Sequence, residues 1–229
     1  MKTTERQQTT LEKALDINLD TLYYGSFAEI GAGQEVARQF FQAGKASQTV
    51  ALTISAYDMT FSDVIYGKEK SGRYVCDSRL RKRLSLEYSK LTDRLGESRG
   101  TKTCFFSFAD TVATSSDSAK KNASSRSHGW MGVRFQNKPN TEPSEVYLHV
   151  RLLDKQRLPQ QETLSKLGVN LIHSCFYKSK NRVDFMTSLF DQIKTGALSV
   201  DAIHFNGDVF KSYDECRNNL WLIENSWSD

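Results

Sequence analysis

Asp77-Ser-Arg-Leu-Arg-Lys-Arg-Leu-Ser-Leu-Glu-Tyr-Ser-Lys-Leu-Thr-Asp-Arg-Leu-Gly96 and, seven residues on, Thr103-Cys-Phe-Phe-Ser-Phe108 decide the fold class between them. In the first, Leu80, Leu84, Tyr88, Leu91 and Leu95 recur at intervals of three or four, so one helical face is apolar and the rest charged. In the second, aromatic residues crowd into a run too short for a helix, which reads as a strand running into Ala109-Asp110-Thr111. A long helix feeding a strand is the unit from which sheet proteins with helical layers are built.

The rest of the chain repeats the alternation. Residues 48–55 are rich in β-branched side chains and read as a buried strand, and residues 59–66 as a short helix closed by Gly67. Residues 130–135 resume strand character. Over 145–152 Val146, Leu148, Val150 and Leu152 share one face, with Tyr147, His149 and Arg151 on the other. Helices are predicted after Pro159, over 182–194 and over 214–224, with a strand over 200–205. Ser26-Phe-Ala-Glu29 has the capping-box spacing, which predicts a helix through Ile30, Val36, Ala37, Phe40 and Phe41 that stops at Gly44. Residues 1–12 are polar and aperiodic and read as a flexible tail. The expected architecture is α/β (or α+β), a mixed sheet flanked by helices, with residues 13–229 as a single domain.

Length and composition agree with that. The 229 residues can bury one sizeable core, and 3 Pro with 13 Gly do not make a linker-dominated chain. No apolar run approaches the ~20 residues of a membrane helix, and the first ten residues lack the apolar stretch of a signal peptide. Cys76, Cys104, Cys175 and Cys216 are far apart, the pattern of free thiols in a reducing cytoplasm, so a cytoplasmic location with no membrane partner is expected.

The net charge of +4 hides an asymmetry. Nine basic residues face four acidic ones between Arg73 and Lys102, whereas from Asn181 onward four basic face eight acidic. No aromatic residue interleaves with Arg79-Leu-Arg-Lys-Arg83 to stack on bases. The cluster therefore reads as a solvated helix face, with the acidic end as its possible partner, and nucleic acid is not the expected ligand.

The segment after Asp110 carries the candidate chemistry. Asp110 and Thr111 lie near a strand's end, where ligands collect in open α/β sheets. Thr114, Ser116, Lys120, Lys121 and Arg126 then supply the hydroxyls and cations that a phosphate or carboxylate needs. His128 follows, an acid or base if it shares the pocket. One reading gives Asp110 and His128 a catalytic role, with Thr111, Thr114, Ser116, Lys120, Lys121 and Arg126 binding a nucleotide or phosphorylated small molecule. The other is a solvated surface loop. The pocket reading requires strands 103–108 and 130–135 to lie side by side with both side chains opening into one site. The four histidines form no HxxH or HExxH, so no metal site is predicted, and no particular cofactor is indicated. Gly31-Ala-Gly33 lacks the third glycine of GxGxxG and falls inside the predicted helix, so it reads as a small-residue packing face.

Several blocks also carry a resemblance. Leu15-Asp-Ile-Asn-Leu19, residues 24–38 around Gly25-Ser-Phe-Ala-Glu-Ile-Gly-Ala-Gly33, Thr53-Ile-Ser-Ala-Tyr-Asp-Met59, Phe108-Ala-Asp-Thr-Val-Ala-Thr114, His128-Gly-Trp-Met-Gly-Val-Arg-Phe-Gln136, Glu142-Pro-Ser-Glu145, His149-Val-Arg-Leu-Leu-Asp154 and Leu167-Gly-Val-Asn-Leu171 run in the order of an uncharacterised bacterial protein family. Its members are labelled nicotinate- or nicotinamide-nucleotide adenylyltransferase, or TonB-dependent receptor. The first label implies a nucleotide substrate and a nucleotidyltransferase, but no histidine here supplies its HxGH. The second implies a large outer-membrane barrel with a signal peptide, which this sequence does not resemble. Family members run to roughly twice this length, so the resemblance implies an N-terminal half and a possible C-terminal-half partner. Leu52 stands where relatives commonly have Lys. Leu220, Trp221, Leu222, Ile223 and Trp227 crowd the last ten residues, which points to the alternative function: a non-catalytic interaction module, a homodimer or one subunit of a split protein.

Overall fold

The computed structural model describes residues 7–114 and 127–229. Six strands form one sheet in the order β2-β1-β3-β4-β5-β6: β1 (Tyr23–Gly31), β2 (Val50–Ile54), β3 (Cys104–Ala113), β4 (His128–Phe135), β5 (Ser144–Leu152) and β6 (Leu198–Asn206). β1 is parallel to both β2 and β3, and every later pairing is antiparallel. The sheet is mixed, as expected, and open, with β2 and β6 as its edges.

Among the described residues seven α-helices cover it: α1 (Thr10–Leu19), α2 (Val36–Ala43), α3 (Met59–Tyr66), α4 (Asp77–Arg99), α5 (Arg157–Tyr177), α6 (Arg182–Leu189) and α7 (Glu215–Glu224). None is long and apolar enough to cross a membrane. On one face Phe27, Phe106, Phe108, Val133, Val146, Leu148, Val150 and Leu152 pack against Val36 and Phe40 of α2 and Leu164, Leu167 and Leu171 of α5. On the other face Leu80 and Leu84 of α4 meet Ala28, Ala109 and Tyr147. The first crossover runs outward from β1 to β2 and the second runs back from β2 past β1 to β3, so a right-handed path places α2 on one face and α4 on the other.

Five expectations change. Ser26–Glu29 lies within β1, because pairing with β2 on one side and β3 on the other outweighs a local capping signal. β2 is an edge strand with Leu52 40% exposed, not a buried one. Helix α1 begins at Thr10, where Thr9 and Glu12 form a reciprocal capping box, so order starts before the predicted tail ends. The basic cluster of α4 pairs with its own neighbourhood rather than the acidic end. Arg79, fully buried, meets Asp63 at 3.0 Å and Ser62 at 2.8 Å, and Lys82 meets Glu69 at 2.8 Å. The crowded C-terminal aromatics are largely core: Trp227 stacks on Phe190 with centroids 4.1 Å apart and Leu222 is buried, which leaves Leu220 and Ile223 exposed.

Candidate functional site

The chain leaves β1 for β2 on one side and returns to β3 on the other, so the carboxyl ends of β1 and β3 form a topological switch point. Gly31-Ala-Gly33 lies there, between a strand and a helix, and not inside a helix as expected. Gly31 has φ +80°, and a side chain on it would meet the Val112 carbonyl at 2.4 Å. Beneath the turn, Glu29 and Asp110 are register partners on adjacent strands. Glu29 accepts from the backbone N–H of Val36 at 2.6 Å and of Ala37 at 3.1 Å, so its carboxylate caps α2 from seven residues upstream. Asp110 accepts from the Ile30 N–H at 3.0 Å through Oδ1, while Oδ2 is buried without a partner. Arg83, fully buried, donates to the Asp110 carbonyl at 3.1 Å from the opposite face.

Two carboxyls this close and this buried do not both ionise readily. Burial pushes Glu29 up to about 7, against the pull of its backbone hydrogen bonds. Asp110 is raised well above the carboxylate range, by burial first and by Glu29 second. The pair holds a proton at a pH where isolated carboxyls have none.

Asp110 and His128 do not share a pocket. Asp110 alternates with Phe108 and Val112 and so faces α2 and α5, whereas His128 stands opposite Ala113, three positions away in register, and faces the other side with Trp130. The strands do lie side by side, but β3 runs on to Ala113, past the end predicted for it, and this fixes the two side chains on opposite faces. Thr111 is buried, its hydroxyl donating to the Tyr74 carbonyl at 2.9 Å, and Thr114 is half-buried at the rim. Ser116, Lys120, Lys121 and Arg126 lie outside the described residues.

On its own face His128 has a partner that the sequence did not reveal. Its Nδ1 is 2.9 Å from Nε2 of His149, whose Nδ1 is 2.9 Å from Oδ2 of Asp201. Arg151 holds the other oxygen of Asp201 at 2.7 Å. A register shift between β5 and β6 leaves Asp201 without a ladder partner and brings its side chain to the face that carries His149 and Arg151. The strict alternation of Tyr147, His149 and Arg151 was a signal for this face; the bulge was not visible. Burial, the largest influence on both rings, pushes His128 and His149 below the ordinary histidine value, against the attraction of Asp201. His173 lies elsewhere, in α5, and is pushed down to about 3 by burial and by Lys13.

A separate cleft of about 380 Å³ opens near the β6 edge, lined among others by Arg81, Tyr147, His204 and Glu215. Among the described residues no group of His, Cys, Asp and Glu could hold a metal ion.

Solved structures share this architecture. The competence/damage-inducible protein CihA of Agrobacterium tumefaciens superposes with a TM-score of 0.50 at 14% identity, over 73% of this chain and 96% of that one. A competence-damaged protein (CinA) superfamily protein of Enterobacter cloacae gives 0.51 at 11% identity, over 76% and 98%. The chain has a CinA-like fold. At such identities the likeness is one of fold alone, and nearly the whole of each CinA-like chain fits within about three quarters of this one. No protein-family model matches the sequence, and neither does any curated protein.

Proposed function

We propose that the open end of β1 and β3 binds a nucleotide or a related phosphorylated metabolite. The observation that carries this reading is the switch point itself, where the sheet parts and a glycine turn leaves backbone unscreened by side chains. Charge decides how such a ligand would sit. The N–H groups at the start of α2, the usual seat of a phosphate, are taken by the Glu29 carboxylate. A phosphate would therefore be held by side chains, and Ser116, Lys120, Lys121 and Arg126 are the ones the sequence offers beside Thr114. Asp110, fully buried, would position the turn without touching the ligand. The resemblance noted above favours a mononucleotide; adenylyl transfer is not part of the proposal.

Thermal unfolding with nicotinate mononucleotide, AMP, ribose 5-phosphate or inorganic phosphate tests it. A ligand at tenfold its Kd adds about 1.4 kcal/mol, a rise in Tm of about 4 °C for a chain of this size. That rise is expected for at least one mononucleotide and is expected to vanish in Lys120→Ala/Lys121→Ala. No rise with any of the four overturns the proposal.

A further inference from the structure

We propose that Asp201, His149 and His128 form an acid–base relay, in which His128 takes a proton from water or from the hydroxyl group of a substrate. The site lies on the α4 face of the sheet and is independent of whatever occupies the switch point.

The geometry fixes every proton. Asp201 is clamped by Arg151 at 2.7 Å and offers its other oxygen to Nδ1 of His149 at 2.9 Å. A carboxylate can only accept, so His149 carries its proton on Nδ1 and presents a lone pair at Nε2. That lone pair faces Nδ1 of His128 at 2.9 Å, so His128 must donate there. Its own Nε2 is then the basic nitrogen, with no partner among the described residues. One carboxylate, exposed at the sheet surface, thus sets two tautomers in series, as an acid does when it orients a catalytic histidine. Trp130 backs the relay, its ring 4.9 Å from that of His149.

The charged groups around the relay are Asp201 and Arg151, with Asp229 on the far nitrogen of Arg151 at 2.8 Å and Arg73 acting on His128 through its charge. Burial, and Arg73 after it, favour neutral His128 against the pull of Asp201, and the neutral ring is the form a base needs near neutrality. In the step, the O–H bond of the water or hydroxyl breaks and an N–H bond forms at Nε2 of His128. The resulting positive charge is stabilised through the Nδ1–H to His149 and by Asp201 beyond it. The oxygen keeps the electron pair of the broken bond, and the proton returns from Nε2 to that oxygen or to solvent water, leaving His128 as it began. His149 and Asp201 are positioning residues.

Nitrogen-15 NMR of the whole chain at pH 7.5 tests the relay without a variant. Both His149 and His128 are expected as the Nδ1–H tautomer, and either ring found as Nε2–H overturns the proposal. A second readout uses diethyl pyrocarbonate, which attacks the free nitrogen of a neutral imidazole. Modification of His128 is expected to follow a titration with its midpoint below pH 6.5, and to slow about tenfold in Asp201→Asn, where the tautomers are released. An unchanged rate in a folded Asp201→Asn protein contradicts the relay.

Discussion

In Glu29→Gln, stability relative to the parent rises by about 3 kcal/mol between pH 5 and pH 8, measured by chemical denaturation at each pH. Glu29 is 4% exposed and its carboxyl titrates at about 7 in the fold, against 4.5 when free. A carboxyl whose value is raised on folding binds its proton more tightly in the native state. Its contribution is therefore fully present below about 4.5 and is lost as the pH climbs through about 7. Glutamine is neutral throughout and loses nothing over that window. Asp110 acts in the same direction, since burial and Glu29 raise it too. The comparison with the parent is needed because His173, pushed down to about 3, has the opposite sign: its contribution fades as the pH falls below the ordinary histidine value. A gap between variant and parent that is constant with pH would show that Glu29 ionises normally in the fold.

The second large effect comes from a single methyl group. A Cβ on Gly33 would lie 2.5 Å from Oδ2 of Asp110 and 2.8 Å from its Cγ. Asp110 is fully buried and tied to the Ile30 N–H, so it cannot yield. Gly33→Ala is expected to cost about 2 kcal/mol by overpacking. In an Asp110→Ala background the obstruction is gone, so the same substitution should cost less than half as much. Strict additivity in this double-mutant cycle would mean that the turn does not rest on Asp110.

Periodicity made much of the fold legible. The leucines of α4 and the alternation of Val146, Leu148, Val150 and Leu152 depend only on which face is buried, and all of those β5 residues are in the core. What escaped was decided by partners distant in sequence. Ser26 and Glu29 have the spacing of a cap, and Glu29 does cap a helix, but the helix is α2 and the cap reaches it across a turn. Strands β3 and β4 do pair side by side, as a shared pocket required, but Asp110 and His128 stand three register positions apart. Which face each takes depends on how far β3 continues, and Phe108 followed by Ala-Asp-Thr gives no such limit. The partnership of His149 with Asp201 needed a register shift between two strands some 50 residues apart, which no single-strand pattern contains.

The claim on which the functional account turns is that a phosphorylated ligand is held at the open end of β1 and β3. Backbone amide chemical shifts followed during titration with nicotinate mononucleotide test it most directly. The account predicts that the largest shifts fall on Gly31, Ala32, Gly33 and Thr114. Shifts concentrated instead on the cleft of Arg81, Tyr147 and His204, with the glycine turn silent, would contradict it.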